Sequence, residues 1–413
     1  MKIVVYTHYF TPEIGAPSAR IFEFSKKWVE DGHEVQVVTC FPNHPAGRLY
    51  EGYRGGHYMK ECFSGVHVHR NWTYVTPNQG VLKKTLGHVS FLPSAFLFSN
   101  PRLMKPDVVM ATSPTFFAAM AGVWAGMYFR VPFVMDVRDL WPAIFVELGV
   151  MKNKFLIRLL EKLELSLYRK ATRVVTVTDA FRDNLMARGV FQGKVDVLTN
   201  GADTDFWQPA PRPLGLMKRL GLEGQFVVLY IGAHGISHGL RRILDAAFLL
   251  RDDPDIRFLF VGAGAEKARL IRYAEALGLK NVLFRDPVDK KGVKEFYQLA
   301  NVCLVPLKDI PLFKTFIPSK MFEIMAMERP VIASLAGEAA DILKRSKGAV
   351  VVQPEDSRAV SAAVRYLYEN PDTCEVLGKQ GRQFVHAHYS RKTLADRYVE
   401  VFRKAVAGYG CPP

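Results

Sequence analysis

The chain has 413 residues, of which 49% are hydrophobic and 23% charged, so it is too long for one compact core and too apolar for a disordered protein. Its net charge of +15 favours an anionic partner, such as phosphorylated substrates, an anionic membrane surface or nucleic acid, unless the chain simply comes from a basic proteome. No zinc-finger, helix-turn-helix or aromatic–basic RNA motif accompanies that charge, so we expect no nucleic-acid partner.

The start of the sequence and its cysteines indicate a cytoplasmic protein. A strand pattern begins at Lys2, which leaves no room for a signal peptide. No apolar run reaches the ~20 residues that a spanning helix needs. The five cysteines lack paired spacing, which is typical of a reducing compartment and argues against a structural zinc site.

The first elements predict a doubly wound α/β domain. Lys2–Thr7 is nearly all apolar, as expected for a parallel strand buried on both faces. A loop carrying Gly15 precedes a predicted helix over Ala19–Asp31 and a strand over Glu34–Thr39. The loop does not match GxGxxG, yet a glycine there lets backbone N–H groups approach a ligand. After a polar loop over Phe41–Ser64, further elements are predicted over Val66–Arg70, Val108–Ala111, Phe116–Phe129, Phe133–Val137, Lys152–Lys170, Val174–Val177 and Val195–Leu198.

A charged pair follows one of these strands. Arg138 and Asp139 come directly after the carboxyl end of the strand over Phe133–Val137, where open α/β sheets bind ligands. The alternative is a structural ion pair at the rim of the domain.

Aromatic, apolar and basic residues are mixed between Val81 and Lys105, with Pro93 in the middle. Such a mixture suits a pair of interfacial helices that rest on anionic lipid. The alternative is ordinary packing within the first domain.

The middle of the chain contains a possible metal motif and a linker. Asp203-Thr204-Asp205 has the DxD pattern of some divalent-ion sites, but the Asn200-Gly201 turn before it favours a loop that closes the first domain. We therefore predict no metal site there. The proline-rich Gln208–Pro213 is typical of a linker, and it places the domain boundaries at 1–208, 209–388 and 389–413.

The second half repeats the pattern of a strand, a glycine-rich turn and a helix, which predicts a second doubly wound sheet followed by helices in the tail. Two turns carry candidate ligand-binding residues: Gly232 and His238 after the strand Phe226–Ile231, and Gly262 and Gly264 after the strand Ile256–Val261.

The stretch Thr315–Ser334 predicts a loop, a short helix and a buried strand. Ser319 is a good N-cap residue, and Lys320 in the first turn makes the helix N-terminus a candidate anion site. Glu323 can accept two hydrogen bonds from a vicinal diol such as a ribose, so the stretch suggests a nucleotide. The alternative is a surface helix with an ordinary Lys320–Glu323 pair.

Together these motifs resemble the GT-B glycosyltransferases, specifically the large retaining group called glycosyltransferase family 4. The likeness covers nearly the whole chain in order. It implies two Rossmann-like domains that face a central cleft, an acceptor-side domain over 1–208, a nucleotide-sugar donor domain over 209–388 and a helix in 389–413 that crosses back to the first domain. It is carried by Gly15, Gly32-His33, Asn200-Gly201, Asp203, Phe206, Gly232…Gly239, Gly262–Glu266, Phe322–Ala326 and Pro330-Val331.

The resemblance also implies roles for individual residues. Glu323 would hold the donor ribose, while Ser319 and Lys320 would lie against the donor diphosphate. Gly15 would let the first loop approach the transferred sugar. The other donor-binding residues would be Gly232, His238, Gly262, Gly264 and Val288, the last of these framing the base.

Three positions depart from the family pattern. Thr315 stands where the first acid of the signature would fall, and Arg138 stands where a histidine is frequent. The turn over 232–239 lacks the usual arginine and lysine and carries histidines instead. We therefore expect donor handling to shift to Lys320 and His238.

The function implied is retaining transfer of a sugar, with acetamido-sugars among the candidates, from a UDP-linked donor without a metal or other cofactor. The acceptor would be polyprenyl-diphosphate-linked or a glycan, in bacterial surface polysaccharide synthesis at the inner face of the plasma membrane. Lys320 would stabilise the leaving phosphate, and Arg138 and Asp139 would position the acceptor. The alternatives are a UDP-sugar epimerase or phosphorylase of the same fold, and a non-catalytic scaffold that binds nucleotide-sugars.

Overall fold

The chain forms two α/β units, Met1–Thr199 with Arg391–Pro413, and Asn200–Ser390. The computed structural model describes all residues except 14, 45–46, 54–55, 77–80, 114, 141, 143–150, 152 and 411–413. The sequence placed the boundaries at 208 and 388, whereas the structure divides the chain after Thr199 and after Ser390.

The first unit contains an eight-stranded sheet in the order β3-β4-β2-β1-β5-β6-β7-β8. Its ladders are parallel except for the antiparallel pair of β3 and β4. Most of the strands are buried on both faces, which explains their nearly continuous apolar sequences. The strands are β1 (Lys2–Tyr6), β2 (Glu34–Cys40), β3 (Tyr58–Phe63), β4 (Val66–Asn71), β5 (Val108–Thr112), β6 (Phe133–Val137), β7 (Arg173–Thr176) and β8 (Val195–Val197).

The loop predicted over Phe41–Ser64 was wrong in its last part, because it contains β3. This strand lies at the edge of the sheet and has no buried residue, and Lys60 and Glu61 interrupt its apolar residues. The predicted helix over Ala19–Asp31 was also displaced. It begins at Ala16 because Pro17 occupies the first turn, where its missing N–H removes no hydrogen bond.

The helices that follow the strands of the first unit are α1 (Ala16–Glu30), α2 (Val81–Ser94), α3 (Phe116–Phe129), α4 (Lys154–Lys170) and α5 (Asp179–Ala187). The segment predicted as two interfacial helices is one helix, α2, followed by a π-helical turn over Ala95–Ser99 and a 3-10 turn over Asn100–Arg102. None of the described helices combines the length and the apolar character needed to cross a bilayer.

The second unit contains a six-stranded parallel sheet in the order β11-β10-β9-β12-β13-β14. Its strands are β9 (Phe226–Ile231), β10 (Ile256–Val261), β11 (Val282–Arg285), β12 (Val302–Pro306), β13 (Val331–Ser334) and β14 (Ala349–Val352). The prediction of helices alone for the tail was wrong, because β14 lies there. It is a short edge strand, and all four of its residues are half-buried.

The helices of the second unit cover both faces of this sheet and bury its core. They are α6 (Leu214–Leu220), α7 (Leu240–Leu249), α8 (Lys267–Ala276), α9 (Lys290–Leu299), α10 (Lys320–Ala326), α11 (Glu338–Ser346), α12 (Ser357–Glu369) and α13 (Pro371–His388).

The last helix, α14 (Arg391–Ala407), belongs to the first unit. It packs on α1, where the indole N–H of Trp28 donates to the carbonyl of Ala395 at 3.1 Å. The hydroxyl of Tyr398 donates to Asp136 on β6 at 2.8 Å and accepts a hydrogen bond from Arg20 at 2.7 Å. Arg20, Asp136 and Tyr398 are fully buried, so this network fixes α14 to both α1 and the sheet.

Candidate active site

The carboxyl ends of β9 and β10 bring three of the predicted glycines together. The N–H of Gly232 donates to Val261 at 3.0 Å, and the N–H of Gly262 donates to Arg285 at 3.1 Å, so the turns after β9, β10 and β11 lie side by side. In open α/β sheets this edge is where ligands bind.

These turns are too close together to accept side chains. A Cβ on Gly262 would lie 2.0 Å from the carbonyl oxygen of Gly232, and one on Gly264 would lie 2.4 Å from that of His234. A Cβ on Gly232 would lie 2.5 Å from Nζ of Lys320, and its φ of 141° disfavours any other residue. The glycines therefore let α10 and the two strand ends approach one another.

Lys320 reaches from the start of α10 to the end of β9. Its Nζ donates to the carbonyl of Ile231 at 3.0 Å and lies 4.3 Å from the ring centroid of Tyr230. Burial lowers the pKa of Lys320 to about 8, and this effect exceeds the opposing influence of Glu323. A half-buried ammonium beside glycine backbone is suited to bind an anion.

The alternative of an ordinary surface pair is wrong for this helix. Met321, Phe322 and Met325 on α10 are fully buried, and Lys320 is directed to the backbone of β9. The predicted N-cap role of Ser319 was also wrong, because its side chain makes no capping hydrogen bond. Its φ of −58° and ψ of −31° are already helical, whereas a capping residue has an extended backbone.

Glu323 lies one turn further along α10. Its Oε2 accepts a hydrogen bond from the hydroxyl of Tyr297 on α9 at 3.3 Å. Tyr297 is buried, and burial raises the pKa of its hydroxyl well above the usual value, so Tyr297 stays a donor that orients the carboxylate. Sequence reasoning missed both Tyr230 and Tyr297. The available signal for Tyr230 was its hydroxyl, the one polar side-chain group in the strand Phe226–Ile231.

Two histidines follow β9. Burial lowers the pKa of both His234 and His238 to about 4, so the two rings are neutral at pH 7. His234 is fully buried between aromatic rings, and neither of its ring nitrogens has a hydrogen-bond partner. Nδ1 of His238 lies 3.4 Å from the carbonyl of Pro306. The histidines therefore add no positive charge at pH 7, and Lys320 supplies a positive charge at the end of β9.

Val288, the residue expected beside a base, lies apart from these contacts. Val288 precedes α9 and is 38% exposed. Its side chain lies against Gly292 of α9, where an added Cβ would be 2.8 Å from the Cβ of Val288. The residue that bonds the end of β11 is Lys267, whose Nζ donates to the carbonyl of Arg285 at 2.9 Å.

Gly15, Arg138 and Asp139 lie in the first unit. Gly15 is exposed at the start of α1, and its carbonyl accepts from the N–H of Ala19 at 3.0 Å. The N–H of Arg138 donates to Oγ of Ser113 at 2.8 Å, which fixes the backbone just beyond β6.

Two nitrogens of the Arg138 guanidinium are buried and have no hydrogen-bond partner among the residues that the structure describes. Nε and Nη1 make no hydrogen bond to the described residues, so these two nitrogens take no part in the alternative of a structural ion pair with Asp139. Burial, reinforced by the nearby Arg20, lowers the pKa of Arg138 to about 10, and burial raises the pKa of Asp139. A buried cation with unused donors indicates a place for an anionic group.

Two cavities that the sequence did not indicate adjoin the ends of β2 and β4. A narrow cavity of about 30 Å³ is lined by polar groups that include His8, Tyr9, His44 and His88. A second cavity of about 440 Å³ is largely apolar, and it is lined by Phe41, Leu49, Gly56, His57, Trp72, Thr73, Tyr74 and Val75. The two share Thr73 and Tyr74, so a polar recess adjoins an apolar one.

Asp203 forms a turn within its own loop. Its Oδ1 accepts from the backbone N–H groups of Asp205 and Phe206, both at 3.2 Å. These local hydrogen bonds account for the Asp203-Thr204-Asp205 spacing. The prediction that this loop closes the first domain was wrong, because residues from Asn200 onward belong to the second unit.

Comparison with known proteins gives one consistent result. Residues 15–201 match the glycosyl transferase 4-like domain, and residues 216–384 match the glycosyl transferases group 1 family. A protein of Escherichia coli (strain K12) assigned to colanic acid biosynthesis as glycosyl transferase WcaI is 28% identical over 88% of this chain and 91% of its own. The D-rhamnosyltransferase WbpZ of Pseudomonas aeruginosa is 25% identical over 91% of this chain and 88% of its own.

Solved structures share the fold. Sucrose-phosphate synthase from Thermosynechococcus elongatus superposes with a TM-score of 0.74 at 18% identity, covering 98% of this chain and 99% of its own. HepE from Anabaena, in complex with UDP-glucose, gives a TM-score of 0.71 at 18% identity, covering 98% of this chain and 100% of its own.

Proposed function

Because this chain belongs to the GT-B glycosyltransferases, with a family 4-like first half and a group 1 second half, we propose that it transfers a sugar from a UDP-linked donor in bacterial surface polysaccharide synthesis. The observation that carries this proposal is the position of Lys320 over Tyr230, beside Gly232 and one turn from Glu323. The colanic acid assignment of one relative and the UDP-glucose bound to one structural neighbour support it.

The donor lies across the strand ends of the second unit. The diphosphate contacts Lys320 and the backbone around Gly232, where the turns are packed closely enough to hold an oxyanion in a fixed place. The ribose hydroxyls bond to Glu323, whose carboxylate is oriented by Tyr297. Ser319, His238, Gly262, Gly264 and Val288 complete the proposed donor site.

The chemistry follows from that placement. As the glycosidic bond breaks, negative charge develops on the leaving β-phosphate, and the ammonium of Lys320 stabilises this charge without a metal ion. The leaving phosphate accepts the acceptor's hydroxyl proton, so transfer proceeds with retention and without a dedicated protein base. Gly15 allows the first loop to approach the transferred sugar.

The acceptor is a polyprenyl-diphosphate-linked or glycan molecule bound by the first unit. The unused donors of Arg138 fit a diphosphate, and Asp139 helps to position the acceptor. The apolar cavity beside Trp72 has room for part of a lipid chain, and the polar recess beside His88 has room for one or two oxygen atoms. We place the enzyme at the inner face of the plasma membrane, in contact through the segment Val81–Lys105.

An assay with and without acceptor tests this proposal. The chain is incubated with UDP-, GDP- and dTDP-sugars, and both released nucleotide and lipid-linked product are measured. If the chain transfers a sugar, UDP is released only when acceptor is added. Conversion of a nucleotide-sugar in the absence of any acceptor would instead identify an epimerase of the same fold.

A further inference from the structure

Helices α2, α3 and α4 lie in one layer on the same face of the first sheet. Each connects a strand to a parallel strand further along the order β4-β2-β1-β5-β6-β7. Right-handed crossovers that run in one direction place their helices on one face of the sheet. Helix α3 packs against both α2 and α4. The outer sides of these three helices form what we call the three-helix face.

Helix α4 turns an apolar stripe to the outside. Phe155 is 78% exposed, and Leu156, Leu159 and Leu163 are exposed at helical spacing. Further along α4, Glu164, Leu167 and Tyr168 are buried against the unit, so the exposed part of the stripe is its N-terminal part. A helix that only covered the sheet would turn the whole stripe inward, so its exposed N-terminal part is available for contact with something outside the unit.

The neighbouring helices continue this apolar exposure. Trp124, Met127 and Tyr128 are exposed on α3. The ring of Phe96, in the turn after α2, lies 6.2 Å from Trp124 and 5.8 Å from Tyr128 by centroid distance. The next residue, Leu97, is 63% exposed. Aromatic side chains therefore connect the exposed parts of α2 and α3.

The charges around the stripes are predominantly positive. The stretch 81–135 contains one acidic residue, Asp107, which accepts a hydrogen bond from the backbone at the start of β1. On α4, Glu164 is buried and paired with Arg188 at 2.6 Å, and Glu161 is half-buried. The exposed basic residues on these helices and at their ends are Arg102, Lys105, Arg130, Lys154, Arg158, Lys162, Arg169 and Lys170.

We propose that the three-helix face docks on an anionic lipid bilayer, with α4 as its main anchor. This inference rests on the proposed function for its biological sense, and it extends the contact well beyond the segment Val81–Lys105. Phenylalanine and leucine side chains enter the acyl boundary, while Trp124 and Tyr128 lie at the headgroup level. The lysines and arginines around them bond lipid phosphates.

The charge pattern selects a bilayer over a second copy of the chain. A symmetric dimer through this face would bring Arg158 and Lys162 of one copy against the basic residues of the other, which opposes association. A nucleic acid would use the basic residues but would leave the exposed leucines in water.

Co-sedimentation of the full chain with vesicles tests this inference. We expect the chain to bind phosphatidylcholine vesicles that contain about 30% phosphatidylglycerol and to bind pure phosphatidylcholine vesicles only weakly. Binding to the anionic vesicles should be lost as the salt concentration rises to about 0.5 M. Neutralising two charges, Arg158→Gln with Lys162→Gln, should weaken partitioning about thirtyfold. Removing apolar contacts, Phe155→Ser with Leu159→Ser, should weaken it about tenfold.

The matched control is Leu249→Ser with Tyr366→Ser, two exposed side chains of the second unit, which should bind vesicles like the unchanged protein. Circular dichroism confirms that each variant is folded. Any one of three results would overturn the inference. The protein could bind both lipid mixtures equally, or the α4 variants could bind like the unchanged protein. Light scattering could also show a dimer that the α4 variants abolish. UDP release with a water-soluble acceptor is measured in parallel, so failure of glycosyl transfer is recorded separately from failure to bind lipid.

Discussion

At the scale of single residues, the candidate donor site depends on the ammonium of one half-buried lysine. Lys320 lies over an aromatic ring, bonds a backbone carbonyl and has two neutral histidines near it. Because burial disfavours its charge, an incoming diphosphate gains more from Lys320 than it would from an exposed lysine.

Replacing this lysine tests its role in catalysis. We expect Lys320→Ala to lower kcat about 100- to 1,000-fold, since a single oxyanion donor in a dry site contributes that much. The matched control is Lys379→Ala, which removes an exposed lysine paired with Glu375 on α13. Steady-state UDP release is the measurement, and unchanged kinetics of Lys320→Ala would remove this lysine from the site.

The lowered pKa of Lys320 predicts a pH dependence of donor binding. The folded protein releases this proton near pH 8, whereas the unfolded chain releases it at a higher pH. Protein stability therefore rises with pH between about 8 and 10. Over the same range the anion site loses its positive charge. The Kd of UDP should therefore be about tenfold weaker at pH 9 than at pH 7.

Isothermal titration at the two pH values measures this effect. In Lys320→Arg the guanidinium stays charged throughout, so its UDP affinity should be flat over the same range. A tenfold loss that persists in the arginine variant would assign the titration to another group.

At the scale of elements, the turn after β9 forms the floor of the site. Position 232 requires glycine for two reasons, its φ of 141° and the short distance to Nζ of Lys320. A Cβ on Gly235 in the same turn would meet only ordinary contacts at 3.9 Å. The two glycines therefore form an internal comparison.

We expect Gly232→Ala to destabilise the second unit by about 1–3 kcal/mol and to displace Lys320 from Ile231, with loss of UDP binding. Gly235→Ala should leave both properties nearly unchanged, because its φ of −102° suits alanine. Thermal unfolding with and without UDP measures both effects. Equal behaviour of the two variants would show that close packing at Gly232 does not govern the site.

The same elements show what the sequence could predict. Strand–glycine–helix patterns are local, so the strands and turns that carry Gly232, Gly262 and Gly264 were placed correctly. The hydrogen bond from Lys320 to Ile231 spans 89 positions of the chain, and the pairing of Glu323 with Tyr297 joins two helices. No local pattern reports such contacts. The edge strands were missed for another reason, because Lys60 and Glu61 interrupt the apolar residues of β3 and because β14 is only four residues long.

At the scale of the whole molecule, the end of the chain completes the first unit. Helix α14 contributes Leu394, Tyr398 and Phe402 to a core that also contains Phe24 and Trp28. The first unit is thus built from both ends of the sequence.

Ending the chain after Ser390 should expose this core and unfold the first unit. Hydrogen exchange should then show loss of protection over Met1–Thr199 with protection retained in Asn200–Ser390. The milder change Tyr398→Phe should destabilise the first unit by about 1–3 kcal/mol, because Asp136 and Arg20 lose a shared partner. Tyr409→Phe, at an exposed position on the same tail, is the control. A first unit that stays protected without α14 would contradict this account.

Mass spectrometry of the acceptor tests the central claim most directly. Polyprenyl-diphosphate-linked acceptors from bacterial membranes are incubated with the panel of nucleotide-sugars, using the unchanged chain and Lys320→Ala. We predict that a UDP-sugar yields an acceptor heavier by one sugar residue, with an equal amount of UDP, and that Lys320→Ala forms almost none. Turnover of the donor with no heavier acceptor, or equal product from Lys320→Ala, would contradict the proposed transferase site.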